Sequence, residues 1–333
     1  MDPHGDLIER VLRFIPERRK KDVVYFNVPD LEQPLAFNPL ERVPPQTRPL
    51  AASGLLEAFR KIWDESWGPR TEHILRNAIL ALLDQPEATL ADILKMLDDS
   101  DFRSQVLQSV ENGQVRRFWL KEYKNYTFGI RALAILPIQN KIGAFLSNPL
   151  LHRILVQPRS TFDVRRIMDE GKILLVNLAK GRIGEDTAAL LGALLVAKIG
   201  LAGLGRADMP EQDRRDFFLY VDEFQSFTTL SFANMLSELR KYRVGMILAH
   251  QYLAQLEPEV RDAVLGNIGT LVTFRLGAPD AQVLAKEFEP AFEAVDLINL
   301  PNYNVYLRLM INGQVSKPFS AEILTPSDVK SLP

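Results

Sequence analysis

Cysteine is absent from the chain. Its absence removes disulfides, thiolate zinc sites and cysteine nucleophiles together, and it suits a reducing compartment such as the cytosol. A clean apolar run of about 20 residues, the length of a membrane span, is also missing. The longest apolar stretch, Thr187 to Leu204, is interrupted by Lys198 and several glycines, and reads as a buried helix. The first residues do not read as a signal peptide, because Asp2, His4, Asp6 and Glu9 stand where basic and apolar regions belong. Low-complexity tracts and internal repeats are lacking as well. The four histidines, His4, His73, His152 and His250, are scattered, so no metal cluster is expected from them. Neither charge is in large excess: 40 basic against 42 acidic residues leave a net −2. Any contact with a polyanion must therefore come from a local patch or from assembly that concentrates charge. What is present is a globular composition, 47% apolar and 25% charged, which excludes a disordered or collagen-like chain. Its 333 residues suffice for two modest domains or one large domain with an insertion.

Short apolar runs rich in β-branched and aromatic residues recur at helix-sized intervals: Val23–Val28, Ile173–Leu178, Phe217–Val221, Gly245–His250, Thr270–Leu276 and Asn304–Met310. Between most of them lie the helical patterns Leu7–Ile15, Thr187–Leu204, Leu230–Tyr242, Glu259–Leu265 and Asp280–Phe288. Buried strands alternating with helices predict an α/β fold built on one mostly parallel sheet covered on both faces. Asn312-Gly313 is a hairpin signal, and the strand after it should close the sheet with an antiparallel edge.

One interval breaks this rhythm. From about 50 to 156 only helical periodicity appears, as in Thr71–Leu83 and Thr89–Leu97, between proline-rich ends (Pro39, Pro44, Pro45 and Pro49; Pro149 and Pro158). The spacing predicts an all-helical insertion domain at 50–156, flanked by core segments at 1–49 and 157–333. Trp63, Leu75, Ile79 and Leu82 are expected in its small core. At the start, Met1 to Leu7 reads as the tip of a strand followed by a helix capped by Asp6.

The strongest motif is Phe217-Phe218-Leu219-Tyr220-Val221-Asp222-Glu223. Five apolar residues ending in two carboxylates form a Walker B pattern. A buried strand fixes Asp222 at its carboxyl end, where it can hold Mg²⁺ or its waters, and Glu223 can activate a water against the γ-phosphate of ATP. A plain strand ending in a polar turn has the same look. Basic and aromatic residues interleave at Arg116, Arg117, Trp119, Lys121 and Lys124, a mixture suited to DNA backbone neutralisation with base stacking. Phe118, Leu120 and Tyr123 fit a core with snorkelling cations equally well. Lys180 and Arg182, after strand Ile173–Leu178, are alternative pore-facing candidates.

After the helix beginning at Leu230 comes Arg240-Lys241-Tyr242-Arg243-Val244-Gly245, then a strand ending in His250-Gln251. With Asp222-Glu223, this order resembles the HerA/FtsK superfamily of RecA-like ATPases. Asp2-Pro3-His4-Gly5-Asp6-Leu7, Phe37-Asn38-Pro39-Leu40 and Trp67-Gly68-Pro69-Arg70 narrow the resemblance to the coupling proteins of conjugation and type IV secretion, the TraG/TraD-like branch. The resemblance covers nearly the whole chain. It implies a RecA-like core with an all-helical insertion, ATP and Mg²⁺ as cofactors, and DNA translocation by a homo-hexameric ring. It implies that Gln251 senses the γ-phosphate and that Arg240 completes a neighbour's site, although a solvated helix C-terminus explains Arg240 too. A relaxase or secretion components are the implied partners, and the inner face of the cell membrane, by way of an upstream anchor, is the implied place beside the cytosol.

The departure is the phosphate loop. No Gly-x-x-x-x-Gly-Lys-Ser/Thr occurs, and the only Gly-Lys pair, Gly171-Lys172, is followed by Ile173. In the family that loop precedes Asp-Pro-His-Gly-Asp, so it is expected upstream of Met1, with truncation expected over degeneration. A non-catalytic remnant that binds DNA or a partner, or a soluble HerA-type motor, is the alternative. A metabolic α/β enzyme lacks support, since Gly-x-Gly-x-x-Gly, Gly-x-Ser-x-Gly and His-Glu-x-x-His are all missing.

Overall fold

The computed structural model describes residues 1–30, 32, 35–41, 43–63 and 67–324. The chain divides into two compact units, Met1–His250 and Gln251–Pro333.

The first unit opens with helix α1 (Asp6–Phe14) and strand β1 (Val23–Asn27). The cap of α1 corrects the sequence reading. Asp6 is the first helical residue, and it is the buried Asp2 carboxylate that accepts the free N–H groups of His4 (2.8 Å), Leu7 (2.9 Å) and Ile8 (3.3 Å). Gly5 makes this possible: it sits at φ 98°, and a Cβ there would lie 2.6 Å from Asn177 Oδ1.

Among the described residues the α-helices α2 (Arg48–Ile62), α3 (Pro69–Leu82), α4 (Asp92–Asp98), α5 (Ser100–Ser109), α6 (Gly113–Arg117), α7 (Phe128–Ser147) and α8 (Pro149–Leu155) follow. Trp63, Leu75, Ile79 and Leu82 are all buried, and Trp63 stacks on Phe59 at 4.6 Å. The two ends of this helical stretch are tied together. Buried Asn38 donates through Nδ2 to the carbonyls of Pro158 (2.9 Å) and Ala88 (2.8 Å), and Phe37 N–H donates to Ile154 O. The rings of Phe26, Phe37 and Phe162 pack beside that staple.

The chain then forms α9 (Val164–Glu170), β2 (Ile173–Asn177), α10 (Lys180–Ile183), α11 (Glu185–Gly205), β3 (Phe217–Val221), α12 (Leu230–Leu239) and β4 (Val244–Leu248). Strands β1 and β2 pair in parallel, as do β3 and β4. Met1 and Asp2 bridge the two pairs. Asp222 N–H donates to Met1 O at 3.1 Å, Asp2 N–H to Val176 O at 3.0 Å, and Leu178 N–H to Asp2 O at 3.1 Å. The result is a run of parallel backbone with all carboxyl ends on one edge.

Helix α11 is long and apolar enough to cross a membrane by length and composition. Here it packs against α2, α9 and α12, which explains why apolar residues occupy most of its circumference. Its glycines set the approach distance: a Cβ at Gly192 would sit 2.1 Å from the Phe227 ring.

The second unit holds α13 (Pro258–Asn267), β5 (Leu271–Thr273), α14 (Ala278–Phe288), α15 (Ala294–Asn299), β6 (Asn304–Arg308), β7 (Met310–Ile311), β8 (Gln314–Val315) and β9 (Phe319–Glu322). The expectation that the runs at 270–276 and 304–310 belong to the parallel sheet is overturned. β5 pairs antiparallel with β6, and β6 antiparallel with β9. β5 and β6 are joined through two helices, α14 and α15, and not through a single crossover helix, so they do not form the parallel βαβ unit that the sequence rhythm suggested. The Asn312-Gly313 hairpin forms between β7 and β8, with φ of 51° and 79°.

Candidate functional site at the carboxyl edge of the sheet

β3 carries Asp222 and Glu223 immediately beyond its last residue, Val221, which is in register with Leu248 of β4. The chain leaves the sheet abruptly here. Glu223 adopts φ 48° and ψ 47°, a left-handed conformation that costs a non-glycine residue about 1 kcal/mol or more. It is held there by its neighbours. Ala249 N–H donates to Val221 O at 2.9 Å, Phe224 N–H to Ala249 O at 3.0 Å, and the buried Phe224 ring meets His250 edge-on at 4.9 Å. Gln225 Nε2 donates to Glu223 Oε2 at 2.6 Å.

Asp222 is half-buried and accepts the Glu223 N–H at 3.1 Å. Burial holds its carboxyl above the usual aspartate range. The charges of Asp2 and Glu223 act the same way, while the Glu223 N–H and His4 oppose them. Asp2, which sequence reading had not singled out for the site, thus lies within electrostatic reach of Asp222. An acidic residue at the expected strand tip, three residues before Gly5, was the available signal.

The same edge receives the segment after β2. Ala179 turns through φ 42°, and Lys180 N–H donates to Pro3 O at 2.6 Å, so Lys180 and the exposed Arg182 sit on α10 at the edge that carries Asp222 and Glu223. His250 ends the first unit, and Gln251, the next residue in the chain, opens the second.

Arg240 lies elsewhere. It begins a single 3₁₀ turn, Arg240–Tyr242, that feeds the amino end of β4, and its side chain is exposed. The length of β4, about 16 Å at about 3.3 Å per residue, separates that end from the carboxylates.

The segment at 116–124 is only partly as expected. The chain passes from α6 into a π-helical turn, Phe118–Glu122, and then a 3₁₀ turn, Tyr123–Asn125. This change of winding turns Phe118, Trp119 and Tyr123 all inward, and Trp119 Nε1 donates to Asn77 O at 3.3 Å. Trp119, buried to 2% exposure, has no face for a base, which corrects the stacking expectation. Arg116, Arg117, Lys121 and Lys124 remain exposed, and Leu120 is exposed rather than in the core.

Among the described residues no cluster of three or more His, Cys, Asp or Glu side chains could hold a metal unaided. A single half-buried carboxylate at a strand end suits Mg²⁺, which keeps most of its waters and shares phosphate oxygens with one or two protein carboxylates.

In solved structures the fold recurs in the plasmid coupling protein TrwB. In its complex with the non-hydrolysable GTP analogue GDPNP the match has a TM-score of 0.64 and 15% identity, over 97% of this chain and 77% of that one. In its complex with ADP and Mg²⁺ the TM-score is 0.63 at 16% identity, with the same coverage. VirB4 of Thermoanaerobacter pseudethanolicus matches with a TM-score of 0.56 and 17% identity, over 98% of this chain and 86% of that one. No curated protein matches in sequence. The architecture is therefore a RecA-type α/β fold with a helical domain. Residues 45–291 match the family model described as the type IV secretion-system coupling protein DNA-binding domain, so the chain belongs to that family of conjugation and type IV secretion proteins.

Proposed function

We propose that the chain is part of the motor of an ATP-driven DNA translocase that feeds DNA to a secretion or conjugation apparatus. The observation that carries this reading is the carboxyl edge of the β3–β4 pair, where Asp222 and a left-handed Glu223 end adjacent parallel strands. Ligands of open α/β sheets bind beyond that edge. Asp222 would contribute a carboxylate to Mg²⁺, and Glu223 would orient and deprotonate the attacking water. Bound Mg²⁺ supplies neutralisation of phosphate charge. Gln251 would report on the γ-phosphate, as the family resemblance implies. Arg240, at the opposite edge from its own Asp222, would act on the nucleotide of a neighbouring subunit, which supports a ring, with six copies as the family form. TrwB has been crystallised with GDPNP and with ADP and Mg²⁺, which supports nucleotide as the ligand here.

The sequence itself supplies no phosphate cradle. Without backbone N–H groups and a lysine on the phosphates, the Asp222–Glu223 edge faces a triphosphate with little compensating charge. The 333-residue chain is therefore expected neither to bind ATP tightly nor to hydrolyse it. Joined to a family-type strand–loop–helix segment it should do both, and Glu223→Gln should then abolish turnover while largely sparing binding. Steady-state hydrolysis and nucleotide titration of both forms test this. Robust hydrolysis by the chain alone, dependent on Glu223, would overturn it.

A further inference from the structure

Among the described residues, strands β2 and β3 are not bonded to each other. Met1 and Asp2 lie between them. The Met1 amino group donates to Tyr220 O at 2.7 Å, and Asp222 N–H donates to Met1 O at 3.1 Å. On the other side, Asp2 N–H donates to Val176 O and Leu178 N–H to Asp2 O. At that level the two strands therefore stand about 10 Å apart, two ladder spacings of about 4.8 Å.

Toward the amino ends of both strands, backbone alternation shows what faces this gap. Successive residues of a parallel ladder turn their N–H and C=O groups to opposite edges. Phe217 N–H donates to Arg243 O and Ala249 N–H to Val221 O, so the odd-numbered residues of β3 serve β4. Val28 N–H donates to Asn177 O, so the odd-numbered residues of β2 serve β1. The even-numbered residues face each other across the gap. Tyr220 O and Val176 O are taken by Met1 and Asp2. Leu174 N–H and C=O and Val176 N–H on one side, and Phe218 N–H and C=O and Tyr220 N–H on the other, have no partner among the described residues. A sheet edge offers one such row, whereas this gap offers two in matching register. Its surroundings are apolar. Phe218 and Tyr220 are more than half exposed, as is no other residue of β3, and Ile247, in register with Tyr220, is exposed beside them.

From this we infer that the gap is a binding slot for one extended apolar segment of a separate polypeptide, about four residues long, running parallel to β2 and β3 toward Met1. Its residues bond alternately to the two walls, through Leu174 and Val176 on β2 and through Phe218 and Tyr220 on β3. The segment is apolar on both faces, because its neighbours Leu174, Leu175, Phe218 and Leu219 are apolar on both faces of the sheet. The Met1 amino group already closes the floor of the slot. The incoming strand is held by its own hydrogen bonds and needs no covalent link to the chain. Occupancy backs Met1 and Asp2, and through Asp222 N–H on Met1 O it steadies the carboxylate edge. The inference does not depend on the nucleotide or DNA readings.

The test adds the peptide Lys-Lys-Thr-Val-Ile-Val-Ile to the full chain and follows binding by calorimetry and by amide-resolved hydrogen exchange. Binding should slow exchange at Val176 and Tyr220 about 10-fold or more. Tyr25 and Met246, whose N–H groups lie on the outer edges of β1 and β4, should be unchanged. N-methylation of the peptide's valines, and in a second peptide of its isoleucines, should each abolish binding, because every residue of a slotted strand bonds to one wall or the other. A strand added to a single outer edge uses only alternate residues and tolerates one of the two modifications. Tolerance of either modified peptide, or protection at Tyr25 or Met246 in place of Val176 and Tyr220, overturns the slot in favour of an outer edge. Protection of Val176 and Tyr220 that rises with the concentration of the chain alone assigns the slot to a second copy and overturns the inference. It is also overturned if the free peptide does not bind, whether or not the same residues fused ahead of Met1 protect those amides.

Discussion

Arg206 Nη1 donates to the carbonyl of Tyr242 at 3.1 Å, joining the end of α11 to the turn that carries Arg240. The same guanidinium donates to Arg215 O at 2.8 Å and to Asp169 Oδ1 at 3.0 Å, and it is wholly buried. Arg214 grips the turn from outside through Lys241 O at 2.9 Å and lies over the Tyr242 ring. Beside its own bond from Arg243 N–H to Arg240 O at 3.0 Å, the turn is therefore held by two arginines. Arg206→Ala is expected to cost about 3 kcal/mol, since it empties a wholly buried guanidinium site and removes its bonds to two part-buried carbonyls and to Asp169. Urea denaturation measures this, and a loss below about 1 kcal/mol would contradict the account.

Gly192→Ala should destabilise the first unit by about 1–3 kcal/mol or more. Its Cβ would fall 2.1 Å from Phe227 Cδ1, and Phe227 is itself buried with no room to withdraw. Because Phe227 lies just past Asp222 and Glu223, the substitution should also raise hydrogen exchange in residues 222–228. An unchanged melting temperature would show that α11 can shift away.

Glu223→Gly should stabilise the fold by about 1 kcal/mol, because glycine reaches the left-handed region without a Cβ penalty. The position has φ 48°, and the carboxylate that keeps a glutamate there serves the proposed water-activating role. A stabilised but catalytically dead protein, once a phosphate loop is supplied, is the expected outcome. Destabilisation would mean that Glu223 contacts outweigh its backbone strain.

Asp222 yields a pH prediction. Burial raises its carboxyl pKa in the fold, so the folded state binds the proton more tightly than the unfolded chain does. Ionised Asp222 therefore opposes folding above its folded pKa, and this penalty fades as pH falls through that value. Asp222→Asn should melt a few degrees higher than the parent at neutral pH, with the difference vanishing near about pH 4, the ordinary aspartate range. Melting curves across that interval check it, and a gain that grows with acidity would reverse the sign.

Particular residues show what could be read in advance. The five apolar residues of β3 followed by Asp222-Glu223 announced both a strand and its functional end, but not its burial: Phe218 and Tyr220 are 59% and 60% exposed, so only one face of the strand is covered. The Asn312-Gly313 turn was equally legible, since both residues tolerate positive φ. The cap of α1 was not. Sequence spacing pointed to Asp6, and only the turn at Gly5 against Asn177 directs Asp2 to the helix.

The sequence by itself determined the local preferences: which segments wind as helices, which extend, where carboxylates end a strand, and that 113–162 is nearly free of acid. Tertiary structure alone decided how those pieces meet. It placed Met1 and Asp2 between β2 and β3, paired β6 antiparallel with β5, turned Trp119 inward by a π-helical turn and left Phe128 in water. Periodicity records which side of an element is apolar, but burial depends on what packs against that side. Such packing is fixed by contacts between residues far apart in the chain, such as Asn38 with Pro158 and Arg206 with Tyr242.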